Sequence, residues 1–126
     1  MFLNRLYKIR QIMTGDNSSK FSVVIELDPA HEIFKGHFPG IPILPGACMI
    51  QILKELLVYH SDTQLILKNA LSIKYLSIIN PLENNVINFN IETTITANSD
   101  ISCNAVLSSE SVVFCRFKGE FKVLPK

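Results

Sequence analysis

The sequence predicts an α+β fold in which an antiparallel sheet curls around one long, buried helix. Two observations carry that expectation. From Gly46 to about Tyr59, apolar side chains fall on nearly every helical face, the pattern of a helix enclosed by the rest of the molecule. Most of the remaining chain alternates apolar and polar residues with a period of two, broken by turn-forming residues. One helix cannot also cover the outer face of such a sheet. That face is expected to be solvated or used for subunit contacts, which favours an oligomer. At 126 residues the chain provides for a single domain, 1–126, with one core.

In order, residues 6–13 and 20–28 (KFSVVIELD) read as strands, with TGDNSS between them as turn material. Phe21, Val23, Ile25 and Leu27 share one face of the second. Residues 29–45 are irregular and rich in Pro and Gly. The helix ACMIQILKELLVY follows; roughly fourteen residues make it about 21 Å long. Gln51, Lys54 and Glu55 interrupt its apolar surface, and their spacing of three and four sets them along one side. Residues 64–79 (QLILKNALSIKYLSII) predict a long strand with an irregularity at Asn69-Ala70. PLENN is a turn, and VINFNIETTITA alternates through Ile87, Phe89, Ile91, Thr93 and Ile95. NSD turns again, and residues 101–107 and 111–123 supply two more strands.

Composition excludes several classes of function. A formal charge of +1 leaves no basic stripe for nucleic acid. The start, MFLNRLYKIRQIM, interleaves Arg5, Lys8 and Arg10 with apolar residues, unlike the unbroken apolar run of a signal peptide. Nowhere do about 18 apolar residues run together, so no membrane span is expected and a cytoplasmic location is. Cys48, Cys103 and Cys115 show neither a CxxC pair nor metal-ligand spacing. They are expected to be reduced, buried thiols. An apolar helix face would raise the thiol pKa of Cys48, so a nucleophilic role is set aside.

The chemistry concentrates in GHFPGIPILPGACMIQILKELL, residues 36–57. Pro39, Pro42 and Pro45 fix φ and delete N–H donors, while Gly40 and Gly46 allow close backbone approach. Gly46 falls where the helix begins, and no Ser, Thr, Asp or Asn caps that end. Its first N–H groups are then free, with the positive end of the helix dipole behind them. Such an end suits a carbonyl oxygen on which negative charge develops. His37, on the approach loop, has an unperturbed pKa near neutrality and suits a base. Base and oxyanion site together fit proton abstraction beside a carbonyl. His31 and His60 need no more than loop and helix-end roles.

HFPGIPILPG followed by a buried helix resembles the signature of the β-hydroxyacyl-acyl carrier protein dehydratases of bacterial fatty-acid synthesis. IELDPAHEIFKGHFPG before it and KNALSIKYLSIINPLENN after it fit the flanking strands, so the likeness spans roughly residues 20–97. The resemblance implies a hotdog fold and a homodimer or higher even oligomer. Two sites would form at the dimer interface, the histidine from one subunit and an acid on the central helix from the other. His37 would take the C2 proton of a 3-hydroxyacyl thioester carried on acyl carrier protein. The Gly46 N–H would hold the thioester oxygen, and water would leave from C3. No cofactor and no metal is implied.

The chain departs from that family's pattern at the acid. Fourteen residues after the histidine stands Gln51, and the carboxylate, Glu55, follows one turn later. Gln51 cannot protonate a leaving hydroxyl but can orient it, or a water. Glu55 lies about 6 Å further along the helix axis. Both are candidate catalytic residues. Equally open are a solvated helix edge beside Lys54 for Glu55 and a backbone-satisfied polar group at the interface for Gln51. The front end also lacks the HRYPFLLVD-like segment of typical members, a region in which related dehydratases of specialised pathways, such as aryl polyene synthesis, also vary. Three functions follow: an acyl-carrier-linked dehydratase, a non-catalytic hotdog subunit that binds acyl chains or forms a heterodimer with an active one, and, third, a thioesterase. Lys35, Lys54 and Lys74 are candidate contacts for a carrier protein.

Overall fold

Period-two alternation along the chain becomes six strands of one antiparallel sheet in a computed structural model that describes residues 1–17, 19–35 and 40–125. The strands are β1 (Tyr7–Thr14), β2 (Lys20–Leu27), β3 (Leu65–Tyr75), β4 (Val86–Ile95), β5 (Ile101–Ser109) and β6 (Val112–Val123). Their spatial order is β1-β2-β4-β5-β6-β3. A short 3₁₀ turn, Glu32–Phe34, precedes α1 (Gly46–Ser61). Sheet and helix form the hotdog arrangement that the resemblance implies.

The buried face of the sheet follows from the alternation. Val23, Ile25, Ile87, Phe89, Ile91, Cys103, Ala105, Leu107, Phe117 and Phe121 turn inward, and Met49, Ile52, Leu53, Leu56 and Leu57 of α1 pack into them. Each fully buried Leu, Ile or Phe contributes about 1.5–3 kcal/mol of hydrophobic stabilisation. Outward-pointing Asn90, Glu92 and Asn104 are exposed. The helix is buried almost all round, as its sequence predicts, but its open side differs from the expected Gln51, Lys54 and Glu55, since Glu55 is buried. A stripe of Ala47, Gln51, Lys54 and Val58, spaced i, i+4, i+7 and i+11, stays exposed or half-buried. The helix also runs to Ser61, where Asp62 adopts the left-handed conformation and its N–H closes onto the Val58 carbonyl.

β3 is shorter than its apolar pattern suggests. It ends at Tyr75 because the Leu76 and Ser77 N–H groups both reach the Phe114 carbonyl, which takes the chain out of the ladder. Beyond, the Ile79 carbonyl accepts from Leu44 N–H and ties the segment to the start of the helix. The irregularity expected at Asn69-Ala70 is present as register shifts at Leu67/Asn69 and Ala70/Ser72. Opposite Ala70 stands Gly119, where a Cβ would lie 2.5 Å from the Asn69 carbonyl oxygen and 2.7 Å from the Phe117 ring. Backbone and ring close over that position only because it carries no side chain.

The two sheet edges differ in chemistry. β1 is lined with Lys8 and Arg10, both paired with Glu26, as an edge that resists strand addition would be. β3 and the residues after it expose Ile66, Leu67, Leu71, Tyr75, Leu76 and Ile78. Near one end of this edge, buried Asp100 accepts from Lys68 Nζ at 3.1 Å and from the Val123 N–H at 3.2 Å, joining β3, β6 and the β4–β5 turn. The bond from Lys68 and then that from Val123 hold its carboxyl below the usual range.

Candidate functional site

The helix start has the open character that its sequence predicts. Pro45 is the N-cap, in an extended conformation and without a side-chain hydrogen bond. Its carbonyl accepts from the Cys48 and Met49 N–H groups, which leaves those of Gly46 and Ala47 with no acceptor among the described residues. Gly40, with φ of 82°, sits in open space at the far end of the loop. His37 belongs to residues 36–39, which lie outside the described residues, and the role given to it rests on sequence.

Tyr75 joins this region without any signal in the sequence. An atom placed at a Gly46 Cβ would fall 2.6 Å from Tyr75 Cζ and 2.8 Å from its hydroxyl oxygen, so the ring lies directly against the first helical residue. Burial raises the Tyr75 pKa, with the neighbouring Cys115 adding to it, so the hydroxyl stays a hydrogen-bond donor. A cavity of about 530 Å³ opens here, lined by Ile43, Leu44, Gly46, Met49, Tyr75 and Ile78 among others. Only pairing of β3 against β6, with Tyr75 opposite Cys115, brings this ring to the helix.

Gln51 and Glu55 are brought together on another side of α1. Glu55 is not on a solvated edge beside Lys54; it is 2% exposed. Its carboxylate accepts from the Phe2 N–H at 3.0 and 2.9 Å, the Leu3 N–H at 2.9 Å, the Tyr7 hydroxyl at 3.0 Å and Gln51 Nε2 at 2.8 Å. Those donors make burial of the carboxylate tolerable, since each bond to a charged acceptor is worth about 1.5–3 kcal/mol. Tyr7 is pushed well above the usual phenol pKa by burial first, then by the charge of Glu55 and the bond to it. Two of the four donor groups on Glu55 are main-chain N–H groups of the first residues, which no residue pattern advertises.

A second cavity, of about 400 Å³, is bounded by Met1, Phe2, Ala47, Cys48, Gln51 and Glu55. It sits beside the open stripe of the helix. At about 100° per residue, Gly46 and Gln51 project about 140° apart around the helix axis, so one chain places them in different cavities. Gln51 and Glu55 project only about 40° apart. The carrier-contact candidates are also dispersed: Lys35 after the 3₁₀ turn, Lys54 on the open stripe and Lys74 on β3, in register with Arg116.

The remaining candidates take structural positions. His31 accepts the Ile33 N–H at Nδ1 and meets Phe2 edge-on, and His60 stacks on Phe21 at 3.7 Å. Cys48, Cys103 and Cys115 are free and buried. Burial raises the thiol of Cys48 and pushes that of Cys103 up to about 12, so neither is disposed to form a thiolate. Among the described residues no cluster of His, Cys, Asp and Glu could hold a metal ion, and no helix is long and apolar enough to cross a membrane.

Comparison with known proteins agrees with this architecture. A family model described as ApeI-like, ApeI dehydratase, matches residues 12–112. No curated protein matches the sequence. Among solved structures, an uncharacterized protein from Erwinia carotovora subsp. atroseptica superposes with a TM-score of 0.68 at 15% identity, over 95% of this chain and 97% of that one. The dehydratase heterocomplex ApeI:P from Xenorhabdus doucetiae gives 0.63 at 15% identity, over 93% and 96%. A hypothetical thioesterase with coenzyme A from Streptococcus pneumoniae TIGR4 gives 0.64 at 13%, over 95% and 87%. At such identities the structural likeness establishes the fold alone.

Proposed function

From the premise that this chain belongs to the ApeI-like dehydratase family, we propose that it dehydrates 3-hydroxyacyl thioesters on acyl carrier protein to trans-2-enoyl thioesters, in fatty-acid or polyene-type synthesis in the cytoplasm. The observation that carries this reading is the open helix start, where the Gly46 N–H, with no acceptor among the described residues, lies beside an apolar cavity. There the thioester oxygen accepts from the Gly46 N–H, and charge developing on it meets the positive end of the helix. His37 takes the C2 proton. The C2–H electron pair becomes the C2=C3 double bond as the C3–O bond breaks. With Gln51 in the acid's place and the Glu55 carboxylate occupied by protein donors, the proton held by His37 is the one returned to the leaving hydroxyl, which departs as water. Gln51 orients that hydroxyl, and Glu55 supports Gln51.

A site shared between subunits reconciles the geometry, because Gly46 and Gln51 of one chain face different cavities while those of two paired chains can face one. The exposed apolar edge of β3 is the surface offered for that pairing. Turnover of a 3-hydroxyacyl N-acetylcysteamine thioester to its trans-2-enoyl form, followed by absorbance of the conjugated product, tests the reading. Loss of turnover in His37→Ala is expected; a variant with the wild-type rate overturns the assigned base.

A second reading is favoured by Gln51 at the acid position and by the neighbour described as a dehydratase heterocomplex. Here the chain completes the site of another hotdog subunit and is inactive alone. Mixing the two purified proteins would give a heterodimer and turnover only in the mixture. An efficient isolated homodimer sinks it. A thioesterase needs a carboxylate free to activate water, and Glu55 is committed to protein donors.

A further inference from the structure

The Glu55 cluster joins a buried carboxylate, the first residues of the chain and a side chain that faces a cavity. We propose that Glu55 is a positioning residue: it holds residues 1–3 as one wall of the Gln51 cavity and fixes the Gln51 amide so that its oxygen receives the 3-hydroxyl of the substrate. This rests on the dehydratase reading and deepens it.

The amide orientation follows from the chemistry of its partner. Carboxylate oxygens only accept, so the Gln51 atom 2.8 Å from Glu55 must be Nε2. The Oε1 atom has no hydrogen-bond partner among the described residues. Gln51 lines the cavity with Phe2, Ala47 and Cys48. A pocket whose unclaimed side-chain polar atom is an acceptor favours a donor such as a hydroxyl. The thioester carbonyl finds its match at the helix start, where the Gly46 N–H, with no acceptor among the described residues, borders the other cavity. The Gln51 amide oxygen and the Gly46 N–H thus suit the two oxygens of a 3-hydroxyacyl group.

The wall depends on the same carboxylate. The Phe2 and Leu3 N–H groups both end on Glu55, and the Tyr7 hydroxyl joins them from the start of β1. Phe2 is steadied again by its edge-on contact with His31, at 6.2 Å between ring centroids. Without the Glu55 carboxylate these donors lose their acceptor, residues 1–3 lose their anchor, and Gln51 is free to turn.

Titration calorimetry on the assembled protein with two unreactive amide analogues, octanoyl- and 3-hydroxyoctanoyl-aminopantetheine, tests the proposal. Wild type is expected to prefer the hydroxylated probe by about tenfold, the worth of one well-placed hydrogen bond. Gln51→Leu is expected to bring that ratio close to one while leaving affinity for the plain probe nearly unchanged. Glu55→Gln is expected to bring the ratio close to one and also to weaken the plain probe, because the wall of residues 1–3 loosens, whereas a purely structural defect weakens both probes alike and keeps the ratio. Amide exchange at Phe2 and Leu3 should rise about tenfold in Glu55→Gln and stay slow in Gln51→Leu. Phe2→Ala should weaken both probes equally and keep the ratio. Should Glu55→Gln fail to fold, Tyr7→Phe removes one donor and is expected to cut the ratio by about threefold. A wild-type ratio of one, or a wild-type ratio retained in Glu55→Gln or Tyr7→Phe, overturns the proposal. Preference without turnover in wild type overturns the dehydratase reading instead and leaves the positioning role intact.

Discussion

Gly46 and Tyr75 make a tight contact at the scale of single residues. A methyl group at position 46 would collide with the tyrosine ring. Tyr75 is half exposed and can swing outward, so Gly46→Ala should cost less than about 1.5 kcal/mol of stability, within the range of mild overpacking. Turnover should fall about tenfold or more, because the displaced ring and the new methyl intrude on the helix start. Gly46→Ala/Tyr75→Ala removes the collision, and thermal unfolding of the pair should recover most of the loss. A Gly46→Ala enzyme with wild-type rate and melting temperature would show that the contact is immaterial.

Gln51→Glu is the companion change on the other side of the helix. It sets two carboxylates within hydrogen-bond distance where an amide now donates at 2.8 Å. Like charges so close share a proton, which raises one of the two apparent pKa values. The variant should gain a general acid, show increased turnover at low pH and lose that gain as pH rises. A flat ratio of variant to wild type across the pH range would argue against any contact between position 51 and the leaving group.

Asp100 gives a prediction of opposite pH sign, in stability. Its folded pKa is depressed, so the stabilisation is present above the ordinary Asp value of about 3.9 and is lost as pH falls through the lower, folded value. Asp100→Asn should therefore lower the melting temperature at pH 7, and the difference from wild type should shrink on acidification. A difference that persists to pH 2 would assign the effect to packing. At this scale the sequence pointed to the uncapped helix start at Gly46, which is present, and named Gln51 and Glu55 as candidates from residue type alone. It could not reveal the burial of Glu55, whose acceptor sites are filled in part by main-chain N–H groups of Phe2 and Leu3, 52 or more residues away.

At the scale of elements, α1 and β3 carry the contrast. The helix was legible because apolar residues covered most of its faces, and its open stripe was less so because Ala47 and Val58 look like core residues. β3 was legible in existence and in its irregularity, while its end was set by the Phe114 carbonyl, a long-range bond that no local pattern encodes. Its exposed Leu71 makes the element testable. Leu71→Lys puts a charge on an edge already 56% exposed at that residue, so the monomer should keep its fold. With the proposed dimer paired through this edge, sedimentation should show the wild type as a dimer and the variant as a monomer, with turnover lost alongside. A stable, active dimer would move the interface elsewhere.

For the whole molecule, a single helix wrapped by one sheet leaves the candidate groups Gly46 and Gln51 of one chain in separate cavities. The fold class was readable from alternation and turns, since strands that read as strands in sequence have few other ways to enclose one helix, whereas the strand order was not. Assembly was readable only as an expectation, from surface that the fold had no means to cover. The match over residues 12–112 leaves the first residues outside the family pattern. In this chain those residues are the ones that close onto Glu55.

Position 119 has a wider reach than its missing side chain suggests. The bare backbone there lets the Asn69 carbonyl and the Phe117 ring crowd in from two sides, next to the places where β3 slips register against β6. A sheet bends most easily where one strand carries surplus length and its neighbour offers no bulk to resist. A methyl group at position 119 would have to displace the Asn69 carbonyl or the Phe117 ring, and a shift of Asn69 would be carried along β3 toward Tyr75, the ring that lies against the start of the helix.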